Sequence, residues 1–403
     1  MQQYPHVTVV TEIMEAFAGA TGLHPTTSDP QRYLWTDAFA VCNFLELCRQ
    51  TGEQKYLRLA TDLVNQVHET LGKHRRDDPR QGWISGLETI AGKAHPTVGG
   101  LRIGKKLGER KPDEPFDEHL EWERDGQYYH YLTKWIHALC QTGAATGDPV
   151  YTLWAAELAK SMHRGFVHQD HAAASKRLYW KMSIDLSYPL VHSMGHHDPL
   201  DGLVTCHEVG RLCDDAPRCD MSQEIADLEA MCRHQAWATG DPLGLGGLLF
   251  DAHRMLQLMA GGSGFDNTEL LLAVLQSARA GLEFFLAEIG WERRAEERLA
   301  FREFGLSIGL HAVPAMRAIL EEIPDFNGYD TVDSHLNGLM SEVGTAKTIE
   351  AFWLDPANRK CAGWQGHEDI NLVMLATSLA PAGFLKLHLP SPAQKPGTTA
   401  HTR

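Results

Sequence analysis

Apolar residues recur along this chain at helical spacing, in segments that come in pairs. The first segment of a pair is apolar on nearly all sides, as in 305–313 (GLSIGLHAV) and 370–380 (INLVMLATSLA). The second carries its charges on one face. Helices that are apolar all round pack inside a protein, and amphipathic helices cover them. Strand-like alternation never persists, although 177–191 (RLYWKMSIDLSYPLV) could form a short hairpin. The pattern predicts an all-α fold with inner and outer helices.

Six such pairs can be counted when polar loops are taken as their boundaries. The first five pairs span residues 36–72, 125–166, 198–235, 241–289 and 301–355. The sixth inner helix, within 366–387, needs a partner, and we assign the N-terminal segment 10–22 to that role. We therefore expect one domain over residues 1–388. The Pro/Gly/Thr-rich tail, 389–403, should be disordered.

Charge and composition exclude several kinds of partner. The 403 residues carry a formal net charge of −15, which would repel a phosphate backbone, so we expect no nucleic-acid partner. No run of 18 apolar residues occurs and the N-terminus has no basic segment ahead of an apolar one. We expect a cytoplasmic protein with no membrane partner.

The eight cysteines are scattered and form no CxxC pair. Most occupy apolar helix positions, which is typical of buried thiols in a reducing compartment. Cys213 and Cys219 bracket an acidic loop and could pair, but we expect free thiols.

Six hairpins with inner and outer helices resemble the (α/α)6 toroid of six-hairpin glycosidases and of the N-acylglucosamine 2-epimerase family. The resemblance covers about residues 30–388. Residues 363–375 (GWQGHEDINLVML) are similar to the Gly-His motif that opens an inner helix in the epimerases, where histidine handles the proton. Residues 232–249 (CRHQAWATGDPLGLGGLL) resemble the stretch that leads into an inner helix of unsaturated glucuronyl hydrolases, which implies Asp241 as a candidate to activate water.

The resemblance also implies where the site lies, because such toroids bind their substrates where the inner helices begin. Several tryptophans, carboxylates and histidines stand at those positions, a combination that suits a sugar. They are Trp35, Asp37, Glu121, Trp122, Glu123, Asp125, Tyr128, His130, His192, His196, His197, Asp198, Asp201, Trp237, Asp241, Arg302, Glu303, Trp364, His367, Glu368 and Asp369. If the ring closes, we expect these side chains to converge on one cavity.

Hydrolysis of a glycosidic bond needs one protonated carboxyl and one ionised carboxylate. Any two of five candidates could supply the pair: Asp37, Glu123, Asp198, Asp241 and Glu303. An aspartate at a helix start is also an N-cap, and the DPL sequence at Asp198 and Asp241 fits a cap followed by proline. Glu303 follows Arg302 and could be ion-paired.

Residues 192–202 (HSMGHHDPLDG) hold three histidines and two aspartates. Imidazole and carboxylate suit transition metals, but HExxH or other ligand spacing is missing from the sequence. We therefore expect a polar loop that lines the substrate cavity, in which His196 or His197 can transfer protons. We expect neither a metal nor another cofactor.

These observations favour a carbohydrate-processing enzyme, and first a glycoside hydrolase that acts on a small or uronate-containing saccharide. One alternative is a sugar epimerase or isomerase, in which His367 and a histidine of 192–197 exchange a proton beside a carbonyl. Another is a toroid that binds a ligand without catalysis, since a fold does not fix a function. The sequence leaves the sugar and the oligomeric state open.

Overall fold

The chain is helical over most of its length in a computed structural model that describes residues 6–170, 175–213, 216–233, 235–262, 265–288, 293–323 and 325–390. The α-helices within these ranges are α1 (Val7–Ala20), α2 (Leu34–Thr51), α3 (Gln54–Leu71), α4 (Thr89–Ala94), α5 (Glu118–Glu123), α6 (Tyr129–Thr146), α7 (Val150–Phe166), α8 (Asp198–Leu212), α9 (Ala216–Cys219), α10 (Ser222–Cys232), α11 (Pro242–Ala260), α12 (Thr268–Glu288), α13 (Ala300–Glu322), α14 (Tyr329–Met340), α15 (Gly344–Leu354), α16 (Ala362–Gln365), α17 (Glu368–Leu379) and α18 (Ala382–Leu385). The strands are β1 (Gln127–Tyr128), β2 (Val167–Asp170), β3 (Ser175–Leu178), β4 (Lys181–Met182) and β5 (Pro189–Val191). Two 3-10 turns lie at Ala295–Glu297 and Asn358–Lys360.

Six helices form a closed inner ring. In order around the ring they are α2, α6, α8, α11, α13 and α17, and α17 packs back against α2. Most of their residues are buried on every side. The all-round apolar segments of the sequence are therefore the inner helices, as predicted. The architecture is an (α/α)6 toroid.

The outer helices cover the ring with one apolar face each. Helix α3 packs on α2, α7 on α6, α10 on α8, α12 on α11, and α14 and α15 on α13. The N-terminal helix α1 contacts α17 and α2, so it supplies the partner of the sixth hairpin. The assignment of residues 10–22 to that role is confirmed.

Glycine and aspartate set the ends of several inner helices. Helices α2 and α6 are followed by Gly52 and Gly147, which take φ values of 75° and 71°. This left-handed conformation ends a helix at little cost only when the residue has no Cβ. At the other end, Asp241 caps α11 by accepting a hydrogen bond from the Gly244 N–H, and Pro242 occupies the first helical position.

Three glycines let α11 and α13 approach each other closely. A Cβ built on Gly246 would lie 1.9 Å from the Gly305 carbonyl oxygen, and one on Gly309 would lie 2.7 Å from the Gly246 Cα. Both obstacles are backbone atoms, which cannot rotate away. The two helices can therefore lie this close only because these positions carry no side chain.

Short strands border the start of α6. Strands β1, β4 and β5 form an antiparallel sheet in which Gln127 pairs with Met182 and Lys181 with Val191. The hairpin expected within 177–191 is thus present. Trp180 lies directly before β4, which pairs with β1, and β1 runs directly into α6. The sheet therefore holds Trp180 at the mouth of the ring. Strands β2 and β3 form a second antiparallel pair.

The segment after α17 crosses the opposite end of the ring. The Gln141 side chain donates a hydrogen bond to the Lys386 carbonyl at 2.7 Å, and the Leu387 N–H donates to the Gln257 side chain at 2.8 Å. Phe384 on α18 enters the ring and is buried. The expected tail, 389–403, lies outside the described residues except for residues 389 and 390.

Two further features concern expectations from the sequence. Helix α12 is long and apolar enough to cross a membrane by length and composition alone, but 44% of its most apolar window is buried inside the protein. It serves here as an outer helix of the ring. Cys213 and Cys219 form a disulfide, contrary to the expectation of free thiols, and their Cα atoms lie 5.8 Å apart.

The glycine contact between α11 and α13 predicts the effect of a one-carbon substitution. We expect Gly246→Ala to lower the free energy of unfolding by about 1–3 kcal/mol or more, because the added methyl group forces the helix backbones apart. Gly247→Ala is the matched control, since a Cβ there meets no atom within 4 Å. Higher helix propensity should stabilise that variant by up to about 1 kcal/mol. Urea unfolding of both variants measures the difference, and equal stabilities would contradict the close contact.

Candidate active site

A cavity of about 270 Å³ lies inside the ring, and all six inner helices contribute to its wall. We call it the central cavity. Its apolar end is formed by Phe39, Phe250 and Phe384, with the Phe384 ring stacked on the other two at centroid distances of 4.3 and 4.4 Å. Its other walls carry histidines, carboxylates and tryptophans. An apolar chamber with a few convergent polar groups is typical of a small-molecule site.

Aromatic rings form one wall of the central cavity. Trp35 comes from the first turn of α2, and Trp180 comes from the residues between β3 and β4. The His130 ring lies between them, at centroid distances of 5.9 Å from Trp35 and 6.4 Å from Trp180. Tyr128 packs behind this wall, 5.5 Å from the His130 ring. Flat aromatic faces of this kind can stack on the C–H faces of a sugar ring.

Asp198 is the first residue of α8 and faces the central cavity. Its side chain is buried, and no described residue forms a hydrogen bond with its Oδ2 atom. The His130 Nδ1 atom lies 3.9 Å from the Oδ1 atom, which is too far for a hydrogen bond. Burial, together with the negative charge of Asp201, raises the pKa of Asp198 to about 7. This carboxyl group is therefore largely protonated below neutral pH.

Asp201 lies one helical turn further along α8 and has the opposite environment. Its carboxylate accepts hydrogen bonds from the Lys134 Nζ and Arg254 Nη2 atoms, both at 2.6 Å, and from the Thr133 hydroxyl. Burial alone would raise its pKa, but the two cations outweigh burial and hold the pKa well below its usual range. Asp201 is ionised under all ordinary conditions.

Arg254 connects Asp201 to a buried network of charges. The guanidinium donates to Asp251 at 2.6 Å and to Glu208 at 3.3 Å, and no part of its side chain is exposed. Glu208 also contacts the His137 Nδ1 atom at 2.9 Å. Burial and the Asp201 charge raise the pKa of Asp251, which lines the cavity, to about 6. The network joins α6, α8 and α11.

Two histidines that face the central cavity are uncharged at neutral pH. Burial lowers the pKa of His130 and that of His197 to about 4. The His197 Nε2 atom lies 3.0 Å from the Trp237 carbonyl, so it carries the proton that it donates there. Its Nδ1 atom is then free to accept a proton. The neighbouring His196 also lines the cavity but is exposed.

Asp241 lies on the cavity wall with both oxygens engaged. One oxygen caps α11, and the other accepts a hydrogen bond from the Arg302 Nη1 atom at 2.6 Å. The N-cap alternative therefore describes Asp241 but not Asp198, which is the first residue within α8 and accepts no capping hydrogen bond from any described residue.

Other predicted site residues line a different space, which we call the second cavity. It measures about 910 Å³ and lies between the start of α2, the start of α17 and residues 102–106. The sequence candidates on its wall are Asp37, Glu123, His367, Glu368 and Asp369. Burial raises the pKa of Asp37 to about 6, although its ion pair with Arg32 opposes this. The candidate side chains therefore do not converge on one cavity, as expected from the sequence, but are divided between two.

A third group of candidates lines neither cavity. Glu303 forms a two-point ion pair with Arg298, at 2.8 and 2.7 Å, and accepts a hydrogen bond from the Trp353 indole. Trp364 stacks on Trp353 at 5.5 Å. Trp237 is buried, Arg302 binds Asp241, and His192 is exposed against the edge of Tyr179. Glu303 and Arg302 therefore connect neighbouring elements at the rim of the ring.

Sequence reasoning missed several residues that line the central cavity or support it. Lys134, Asp251 and Arg254 lie one or more turns inside helices that otherwise look like core. The sequence signal that could have identified them is a charged residue within an apolar helix, because a charge is buried there only when an oppositely charged side chain pairs with it. Trp180 lies outside any helix, so the rule about helix starts could not identify it. Among the described residues, no group of His, Cys, Asp and Glu side chains has the geometry of a metal site.

The ion pairs of Asp201 predict that this residue is needed for stability. We expect Asp201→Asn to lower the free energy of unfolding by about 3 kcal/mol, because it leaves the buried Lys134 ammonium without its carboxylate. Adding Lys134→Met should recover much of that loss in a double-mutant cycle measured by urea unfolding. Additive losses would contradict the pairing.

The comparisons with known proteins agree with the architecture. No protein-family model matches the chain, and no curated protein matches it. Solved structures with a similar fold include the following two. One is the GH76 α-mannanase of Bacteroides thetaiotaomicron, with a TM-score of 0.52 and 9% identity over 92% of this chain and 96% of that chain. The other is a D-mannose isomerase, with a TM-score of 0.50 and 11% identity over 94% of this chain and 98% of that chain. At these identities the likeness establishes the fold alone, which is the toroid of the six-hairpin type.

Proposed function

We propose that this chain is a carbohydrate-processing enzyme and that it hydrolyses a glycosidic bond in a small or uronate-containing saccharide. One observation carries the proposal. The first turn of α8 presents a buried carboxyl group, Asp198, that keeps its proton near neutral pH, and the next turn presents an ionised carboxylate, Asp201. Glycosidases need such a pair beside the scissile bond.

Each carboxyl group has a defined part in the reaction. Asp198 gives its proton to the leaving oxygen as the bond between the anomeric carbon and that oxygen breaks. Asp201 stays ionised, because Lys134, Arg254 and Thr133 hold both of its oxygens, and its negative charge stabilises the positive charge that develops on the sugar ring. A water molecule then supplies the new hydroxyl group at the anomeric carbon, and its second proton returns to Asp198. Among the described residues, no group pairs with the buried Oδ2 atom of Asp198, so the carboxyl proton has no acceptor within the protein.

The surroundings of the pair also favour a sugar. Trp35 and Trp180 offer stacking faces, while the polar wall offers hydrogen-bonding groups to hydroxyls. The two similar structures are a mannanase and a mannose isomerase, and both names refer to sugars. This supports the substrate class without identifying the sugar.

Replacing the proposed acid tests the proposal directly. We expect Asp198→Asn to lower kcat on unactivated disaccharides by at least about 100-fold, because general acid catalysis is lost. The melting temperature should not fall, since asparagine resembles the protonated carboxyl in shape and charge. Asp62→Asn, on the exposed side of α3, is the matched control and should keep full activity. Full activity of Asp198→Asn would contradict its assigned role, and a wild-type chain that binds sugars without turnover would favour the binding role.

The pKa of Asp198 predicts a pH dependence for both activity and stability. Hydrolysis needs the protonated form, so kcat should fall as the pH rises through about 7. A raised pKa means that the folded chain binds this proton more tightly than the unfolded chain, so stability is lost as the pH rises toward 7. The melting temperature of Asp198→Asn relative to wild type should therefore increase from pH 5 to pH 8. A constant difference would contradict the raised pKa.

The two uncharged histidines favour a second candidate, a sugar epimerase or isomerase. His367 lies in the second cavity, so a histidine pair in the central cavity would consist of His130 and either His196 or His197. Such an enzyme moves a proton on carbon and releases no new reducing end. Incubation with reducing sugars in D2O separates the candidates, because epimerisation incorporates deuterium at carbon, visible by NMR. Hydrolysis without carbon-bound deuterium is the expected result, and exchange abolished by His130→Gln would replace the proposal.

A further inference from the structure

The central cavity is closed at its inner end. His130 and Asp198 line it in the first turns of α6 and α8, where these inner helices begin. At the other end, the Phe384 ring stacks on Phe39 and Phe250 at centroid distances of 4.3 and 4.4 Å, and all three rings are buried. A ligand therefore enters past Asp198 and stops at these rings.

Gly247 leaves open the space between the two ends. It lies on the cavity wall within the inner helix α11, and a Cβ there would meet no atom within 4 Å. Glycine destabilises the interior of a helix relative to alanine. Packing against α13 requires a glycine at Gly246, but no contact requires one at Gly247. The empty space in front of Gly247 is therefore room that a ligand can occupy.

Two buried polar groups at the inner end have unused hydrogen-bonding capacity. Asp251 is 2% exposed, and its Oδ1 atom accepts from the Arg254 Nη2 atom at 2.6 Å. No described residue bonds to its Oδ2 atom, which is not sealed inside the protein, and Asp251 lines the cavity. The Lys134 Nζ atom has three N–H donors, and among the described residues Asp201 alone accepts from it, at 2.6 Å. Hydroxyl groups of a ligand can donate to Asp251 and accept from Lys134.

The opposite wall of the cavity is apolar. It is formed by Phe39 of α2, Ile308 of α13 and Met374 of α17. A hydroxyl group turned toward this wall would lose its hydrogen bonds to water without replacement, whereas C–H groups pack against it. A sugar ring presents both kinds of surface. At about 270 Å³ the cavity has room for about one sugar unit, because sites for drug-sized ligands begin at roughly 300 Å³.

We propose that the inner part of the central cavity binds one terminal sugar unit, held between Lys134 and Asp251 on one side and the apolar wall on the other. The choice of a sugar rests on the proposed function. A unit from the middle of a chain has neighbours on two sides, and the closed inner end leaves an exit for one neighbour. The cavity therefore admits the end of a saccharide chain.

The position of Asp198 decides which chain end enters. Its carboxyl group lies where the inner helices begin, and its Oδ1 atom, unlike the Oδ2 atom, is not sealed. Its proton can therefore reach the bond between the enclosed unit and the chain outside. In hydrolysis that proton goes to the leaving oxygen, while water adds to the anomeric carbon of the enclosed unit. The enclosed unit is thus the non-reducing end, and the enzyme releases single sugars from that end.

Calorimetric titration of the whole chain with D-mannose, D-glucose, D-galactose and D-glucuronate tests the binding step. At least one of these sugars should bind. Its methyl glycoside should bind about equally well, because the anomeric oxygen faces the opening. Its 4-O-methyl ether should bind at least about tenfold more weakly, since the added methyl group meets the buried rings at the closed end. No binding of any of the four sugars, or equal affinity for the 4-O-methyl ether, would overturn the proposal.

Variants locate the binding. Gly247→Leu should weaken it by at least about 100-fold without lowering the melting temperature, because the new side chain fills the cavity and not a packed contact. Gly210→Leu is the matched control, since Gly210 is also a helical glycine whose Cβ would meet no atom within 4 Å, but it is exposed on α8. Asp251→Asn, which retains an oxygen for Arg254, should weaken binding by at least about tenfold. Unchanged affinity in Gly247→Leu and in Asp251→Asn would overturn the assignment.

Product analysis separates this proposal from the proposed function. The probe is a tetrasaccharide of the sugar that binds best, labelled with 2-aminobenzamide at its reducing end. The labelled trisaccharide should appear first, together with the unlabelled single sugar. A labelled disaccharide as the first product would overturn binding by the chain end but leave hydrolysis in place. Binding of the single sugar without any hydrolysis would contradict the proposed function and support the terminal-sugar site.

Discussion

A single guanidinium group, that of Arg254, determines how the interior of the ring is built. It is fully buried on α11 and contacts three carboxylates, Asp201, Glu208 and Asp251, while Lys134 of α6 shares Asp201. Charges this deep cost stability unless every partner remains in place. The network therefore fixes α6, α8 and α11 relative to one another, and with them the three helices that carry most of the polar wall of the central cavity.

The same network explains why two aspartates of one helix differ so much in pKa. Both cations bind Asp201, one turn below Asp198, and none binds Asp198 itself. The backbone of Gly195 covers the Asp198 carboxyl so closely that a Cβ there would lie 2.2 Å from the Oδ2 atom. A buried carboxyl beside a negative charge and without a cation retains its proton. The protonation of Asp198 at neutral pH thus depends on where the two cations lie, and only indirectly on the residues next to it in the sequence.

The sequence predicts the fold better than it predicts the site. Periodicity separates inner from outer helices, and the count of hairpins requires the N-terminal segment 10–22 to close the ring, as it does. Helix starts also identify Asp198 and Asp201. The pairing of Asp201 with Arg254 cannot be predicted in this way, because the two residues are 53 positions apart and meet only through helix packing. Trp180 reaches the cavity from a loop, whose path depends on the strands around it.

The central claim is that Asp198 holds its proton near neutral pH, and its carboxyl group can be titrated directly. Carbon-13 NMR of protein labelled at the aspartate carboxyl carbon, compared with the Asp198→Asn variant to assign the signal, reports the protonation of this one group. The account predicts a midpoint of about 7. A midpoint near the ordinary aspartate value of about 3.9 would contradict it, and would remove Asp198 as the acid of the proposed reaction.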